Sequence, residues 1–114
     1  FLEGISQNNE LYICTARQSV SQVTKQLENL AISSYFQEVF VTEQRLTKEE
    51  LLVNSGLQFN KQDWFIGDTG HDMTTGKKIG TKTCAVLSGF MSYPALASYS
   101  PDIIVSDITK FNFA

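Results

Sequence analysis

Five short apolar runs, each near-continuous rather than alternating, set the strongest limit on what this chain can fold into. They are Leu11-Tyr12-Ile13-Cys14, Val39-Phe40-Val41, Trp64-Phe65-Ile66, Thr83-Cys84-Ala85-Val86-Leu87 and Ile103-Ile104-Val105. A strand with one wet face alternates apolar and polar residues, whereas a strand covered on both faces does not. Between the runs lie segments of helical spacing. Val20, Val23, Leu27 and Leu30 recur at three- and four-residue steps, which predicts an amphipathic helix, and Ser19 with Gln22 fits a capping box at its start. Thr47 and Glu50 make a second capping box. Leu46 and Leu51 stand at the staple positions around it, and Gly56 is placed to end the helix. A short third helix is expected from about Asp72 to Ile79 with Gly80 as its stop, and a weaker one over Tyr93 to Tyr99. Strand-helix-strand repetition on this scale predicts an α/β fold with parallel strands and right-handed crossovers.

The 114 residues suffice for one domain with a modest core, and 42% hydrophobic with 18% charged content is that of a globular chain. There is no long linker, low-complexity tract or internal repeat, so residues 1–114 are read as one domain. A net charge of −3 leaves no basic footprint, which argues against a nucleic-acid partner. No apolar run is long enough to span a membrane and no signal peptide is visible, so a cytoplasmic location is expected. The opening Phe1-Leu2-Glu3-Gly4-Ile5 reads as the end of an element, which predicts that the chain is a fragment. Cys14 and Cys84 both fall in apolar runs and are read as buried free thiols.

The stretch from Trp64 to Asp72 carries the chemistry. Its apolar run ends in Gly67-Asp68, and Asp72 follows four residues later. A buried strand that stops at a carboxylate delivers it to the rim of the sheet, where ligands of open α/β sheets bind. If a helix starts there, Asp72 falls in its first turn, near Asp68. Two close carboxylates are costly unless a cation lies between them, and hard oxygen ligands suit Mg²⁺. A plainer reading has Asp68 cap the helix and Asp72 complement its dipole. His71 is the single histidine and is read as exposed. Thr15 ends the first strand, followed by Ala16 and Arg17, where a hydroxyl and the following N–H groups could bond phosphate oxygens; taken alone, a Thr that caps the turn is the plainer reading. Lys48 lies in the first turn of its helix, against the helix dipole by about 0.3–1 kcal/mol, a mismatch that fits either an electrostatic task or a solvated lysine whose mild cost is tolerated. Gly70 through Lys78 is a poor match to a phosphate-binding P-loop, with the glycines one residue too far apart and Lys78 where Ser or Thr belongs.

Thr15, then Lys48, then Gly67-Asp68-Thr69-Gly70-His71-Asp72 come in an order that resembles the haloacid dehalogenase superfamily of phosphotransferases and hydrolases. From Phe65 to Phe111 the chain is similar to the phosphoglycolate phosphatase-like branch: the paired acids, a short helix, a strand like Cys84-Ala85-Val86-Leu87, a Gly89-Phe90 turn, then Pro101-Asp102-Ile103-Ile104-Val105. The resemblance implies a three-layer Rossmann-like parallel sheet with helices on both faces. It implies that Thr15 bonds the transferring phosphoryl oxygens and that Lys48 neutralises phosphate charge and holds the nucleophile. Asp68 would ligate Mg²⁺, with Asp72 supporting it directly or through water. Positioning and charge neutralisation do most of the work in phosphoryl transfer.

One departure stands out. The family's first motif, Asp-x-Asp-x-Thr, is absent from this sequence, and with it the nucleophile and the central first strand. The resemblance therefore implies the C-terminal part of a Mg²⁺-dependent phosphatase acting on a small phosphorylated metabolite through an aspartyl-phosphate. Any cap inserted after the first motif would precede Phe1, and the short path from Val41 to Lys48 leaves no room for the other kind of cap. A non-catalytic Rossmann-like module that binds a metal or a partner is the alternative. The chain alone is expected to lack phosphatase activity. Loss of a central strand would leave edges beside the Leu11–Cys14 and Trp64–Ile66 strands, and apolar edges are templates for pairing. A complementing N-terminal segment, or a second copy in a homo-oligomer, is expected to fill the gap in preference to closure of one edge on the other.

Overall fold

A computed structural model describes residues 9–15, 25, 26, 28, 33–42 and 46–111. The helix expected around Val20 to Leu30 lies largely outside the described residues; within it Lys25, Gln26 and Glu28 are helical and exposed. The chain divides into two compact units, Phe1–Leu57 and Gln58–Ala114.

In the first unit, β1 (Tyr12–Thr15) pairs parallel with β2 (Glu38–Val41), with Thr15 opposite Val41. The parallel register puts the carboxyl ends of both strands on one edge. Val41 is buried against Ile13 and Val39. Helix α1 (Lys48–Asn54) follows and packs on both strands. Its start is the expected capping box: Glu50 N donates to Thr47 Oγ1 and Thr47 N donates to Glu50 Oε1, each at 3.1 Å. Those bonds satisfy two of the backbone N–H groups that a helix start leaves over. Ser55 is the C-cap and Gly56 follows at φ +82°, a left-handed conformation that favours glycine.

The second unit holds β3 (Trp64–Gly67), β4 (Lys82–Val86) and β5 (Ile103–Val105) in the order β3-β4-β5, all parallel. Helix α2 (Gly70–Lys78) joins β3 to β4 and α3 (Tyr93–Ala97) precedes β5. The central strand explains its unbroken apolar run: Thr83, Cys84 and Ala85 have no exposed surface. Side chains alternate across a strand, so β4 serves two cores. Ala85 packs with Met73 of α2 and Leu96 of α3, while Cys84 and Val86 pack with Phe111, Trp64 and Ile66 on the opposite face. Gly76 lets α2 settle close to the sheet, because a methyl group there would stand 2.6 Å from Thr83 Cγ2 and 2.8 Å from Phe65 Cβ. Asp102 ties β5 to β4, accepting from Thr83 N at 2.7 Å.

The expected third helix is present, two residues longer at its start. Thr69 is its N-cap, not Asp68, and Gly80 ends it at φ +88°. Both cysteines are free thiols; Cys84 is buried and Cys14 half-buried. Among the described residues no helix is long and apolar enough to cross a membrane.

Candidate functional site

The paired acids stand where the strand-to-helix junction puts them. The last residue of β3 is Gly67, so Asp68 is the first residue past the carboxyl end of that strand. Thr69 then turns the chain into α2, with extended backbone at φ −126°, ψ 157°. Its hydroxyl accepts from Asp72 N at 3.2 Å and donates to Asp72 Oδ2 at 3.0 Å. Asp72 is thereby held in the first turn, 5% exposed, where a carboxylate complements the helix dipole. Its fixed rotamer aims it back at the end of β3: a methyl group on Gly67 would lie 2.5 Å from Asp72 Oδ2. Gly67 does not have a positive φ, so its role is room, not backbone freedom.

Asp68 is different. It is half-buried, and among the described residues its carboxylate has no hydrogen-bond or ion-pair partner. The helix-capping task that would have explained it falls to Thr69. What bounds it is Gly89, beyond the end of β4: a methyl group there would stand 2.7 Å from Asp68 Cγ. Asp68 and Asp72 therefore offer hard oxygen donors at one end of one sheet. The described residues contain no group of three or more His, Cys, Asp or Glu side chains arranged for a metal. Two carboxylates suit Mg²⁺, which keeps several of its waters and binds through one or two such groups, better than Zn²⁺ or Ca²⁺. His71 is exposed, as expected.

The remaining candidates belong to the first unit. Thr15 is the last residue of β1, at the carboxyl edge of the β1–β2 sheet. Lys48 is the first residue of α1, half-buried, directly after N-cap Thr47. A helix that follows a parallel strand starts at that strand's carboxyl end, so Thr15 and Lys48 share one edge of their own sheet. Ala16 and Arg17 lie outside the described residues.

Sequence reasoning missed three residues that shape the acidic pair. Thr69 orients Asp72, Gly89 borders Asp68, and Met91 accepts from Gly70 N through its sulfur at 3.2 Å. Thr69 carried a legible signal, a hydroxyl three residues before an acid. Gly89 was legible only as a turn residue and Met91 not at all, since each meets its partner across 21 residues of chain.

The chain superposes on a protein from Clostridium difficile assigned as a phosphatase, with a TM-score of 0.82 and 25% identity, over 95% of this chain and 54% of that one. A haloacid dehalogenase-like family hydrolase from Streptococcus pneumoniae gives a TM-score of 0.78 and 28% identity over 90% and 50%. A HAD-type hydrolase from Bacillus subtilis, solved bound to magnesium, matches at 0.72 and 18% over 96% and 49%, a likeness of fold alone. The chain thus spans about half the length of these structures. No curated protein matches the sequence. A family model described as haloacid dehalogenase-like hydrolase matches residues 1–86, and with the α/β fold of parallel strands this places the chain in the haloacid dehalogenase-like hydrolase family.

Proposed function

We propose that this chain is the C-terminal part of a Mg²⁺-dependent hydrolase that cleaves a small phosphomonoester through an aspartyl-phosphate. The observation that carries the reading is Asp68: a half-buried carboxylate at the carboxyl end of β3, without a partner among the described residues and four residues before a second, buried acid in the first turn of the following helix. Family membership and the likeness to a protein assigned as a phosphatase support it.

The residues then divide the work. Asp68 would hold the metal and Asp72 would support it from the first turn of α2, kept in place by Thr69. Bound Mg²⁺ would supply charge neutralisation at the transferring phosphoryl group. Thr15, with the backbone that follows at Ala16 and Arg17, would donate hydrogen bonds to phosphoryl oxygens. Lys48 would contribute a fixed positive charge, which gives its position at the wrong end of a helix dipole a purpose. The nucleophilic aspartate would come from outside residues 1–114, since no Asp-x-Asp-x-Thr occurs in them. The chain by itself would then bind but not turn over, because the covalent step has no acceptor.

The sequence encoded ahead of Phe1 is the first test. An Asp-x-Asp motif on an apolar run supports the hydrolase; its absence leaves a metal- or partner-binding module. The second is titration calorimetry of Mg²⁺ against the protein as its gene encodes it. Asp68→Asn is expected to abolish binding, and Lys48→Ala to leave metal binding intact while weakening competition by inorganic phosphate. Turnover of a phosphomonoester by residues 1–114 alone, lost in Asp68→Asn, would refute the division of labour.

A further inference from the structure

The loop at residues 87–91, after β4, meets the N-terminal end of α2 and its approach at two points. At Gly89 the backbone itself closes on the Asp68 carboxylate, with room for no side chain: a methyl group would stand 2.7 Å from Asp68 Cγ and 2.8 Å from its Cβ. Gly89 has no positive φ, so an alanine would suit its backbone and only the space forbids one. At Met91 the sulfur accepts the N–H of Gly70 at 3.2 Å. That N–H belongs to the first residue of α2, one of the four that a helix start leaves without an internal partner. The Met91 side chain also packs against the cluster of Met73, Ala85 and Leu96. Between these two anchors Phe90 is 86% exposed. Burial of its own aromatic residue therefore does not hold the loop in place; Leu87 ties its start to the sheet, with its N–H donating to Val105 O at 3.0 Å and its side chain on the same cluster, and Gly89 and Met91 fix it against Asp68 and α2.

A carboxylate with no hydrogen bond to fix it is free to choose among its staggered rotamers. Asp68 is such a group, and the Gly89 backbone is the wall it rests against. Met91 keeps that wall in register with α2, the helix that carries Asp72. We propose that loop 87–91 positions Asp68: Gly89 reserves the space its carboxylate occupies, and Met91 latches the loop to the start of α2. Both are positioning residues. The inference rests on Asp68 being the metal ligand and adds what holds it ready.

The test uses the protein as its gene encodes it, Mg²⁺ alone as the probe, calorimetric affinity as the readout, and melting temperature in chelator as the control. Residues that orient a metal ligand cost about 10–100-fold in affinity when changed. Gly89→Ala is expected to weaken Mg²⁺ binding by about tenfold or more, with the metal-free melting temperature held within about 3 °C. Met91→Leu keeps the volume and removes the acceptor; it is expected to weaken binding by a smaller factor. Met91→Gln offers the same N–H an amide oxygen and is expected to restore it. Wild-type affinity in Gly89→Ala, with Asp68→Asn unable to bind, overturns the role of the loop alone. A loss matched by an equal collapse of the metal-free melting temperature, or no rescue by glutamine, also overturns it. If Asp68→Asn binds Mg²⁺ as the wild type does, the metal reading itself fails and this one with it.

Discussion

Gly76→Ala sets two physical effects against each other, and the structure decides between them. Gly76 lies in the interior of α2. Helix propensity alone favours the change, by about 0.8–1 kcal/mol. The new methyl group, however, would stand 2.6 Å from Thr83 Cγ2 and 2.8 Å from Phe65 Cβ. Neither neighbour can step aside by rotating. Phe65 Cβ is fixed to the backbone of β3. Thr83 is fully buried, and its hydroxyl donates to Asp102 Oδ2 at 3.3 Å while accepting from Asp102 N at 3.2 Å. The helix must lift from the sheet, which loosens Met73, a fully buried residue on the same helix. Overpacking of this kind costs about 1–3 kcal/mol, occasionally more. Less the propensity gain, a net loss of about 0.2–2 kcal/mol is expected, which at about 4–8 °C per kcal/mol for a small domain lowers the melting temperature in a thermal scan. Gly56→Ala is the matched control. It has open space on every side but φ +82°, so its cost, about 1–2 kcal/mol, is purely conformational. Urea unfolding of both variants gives the free energies, and the Gly76 variant alone should perturb near-ultraviolet signals from the β3–β4 core. A melting temperature equal to or above the wild type in Gly76→Ala would refute the claim that α2 is seated by that glycine.

Three further outcomes follow from local geometry. Thr47→Ala removes the hydroxyl that accepts from Glu50 N and should cost about 1 kcal/mol in chemical unfolding, with Thr47→Ser largely neutral. Burial pushes the Cys84 thiol up to about 11, so about one in a thousand is thiolate at pH 8; maleimide should reach Cys84 only after denaturant is added, and rapid labelling in the native protein would contradict the burial. Hydrogen bonds from the Thr109 hydroxyl and N–H hold the exposed Asp107 carboxyl below its usual value. Its folded value lies under its unfolded one, so the turn it caps, Ile108–Lys110, is supported above the ordinary carboxylate range and loses that support as pH falls through the lowered value. The protection factor of the Thr109 amide, its slowing of exchange relative to the unstructured chain at the same pH, should fall over that acid interval and be low at all pH in Asp107→Ala.

Much of the fold was legible because it is written locally. Each of the five apolar runs became a strand, and the Thr47–Glu50 box starts α1 as its spacing of three residues requires. Gly56 and Gly80 follow their helices at positive φ. Asp68 and Asp72 were recognisable as a pair since four residues separate them, less than two turns of any helix. The plainer alternative for Asp68, capping the helix, is taken by its neighbour Thr69, and the helix starts two residues before its expected first residue Asp72. Other features were decided by tertiary structure alone. That Gly89 leaves the Asp68 carboxylate its room, that Met91 serves an N–H 21 residues away, and that Asp102 ties Thr83 across 19 residues all depend on which strands lie side by side. Sequence periodicity reports the face a residue turns to the core. It carries no record of the residue that meets it there, because that partner is chosen by close packing of elements distant in the chain.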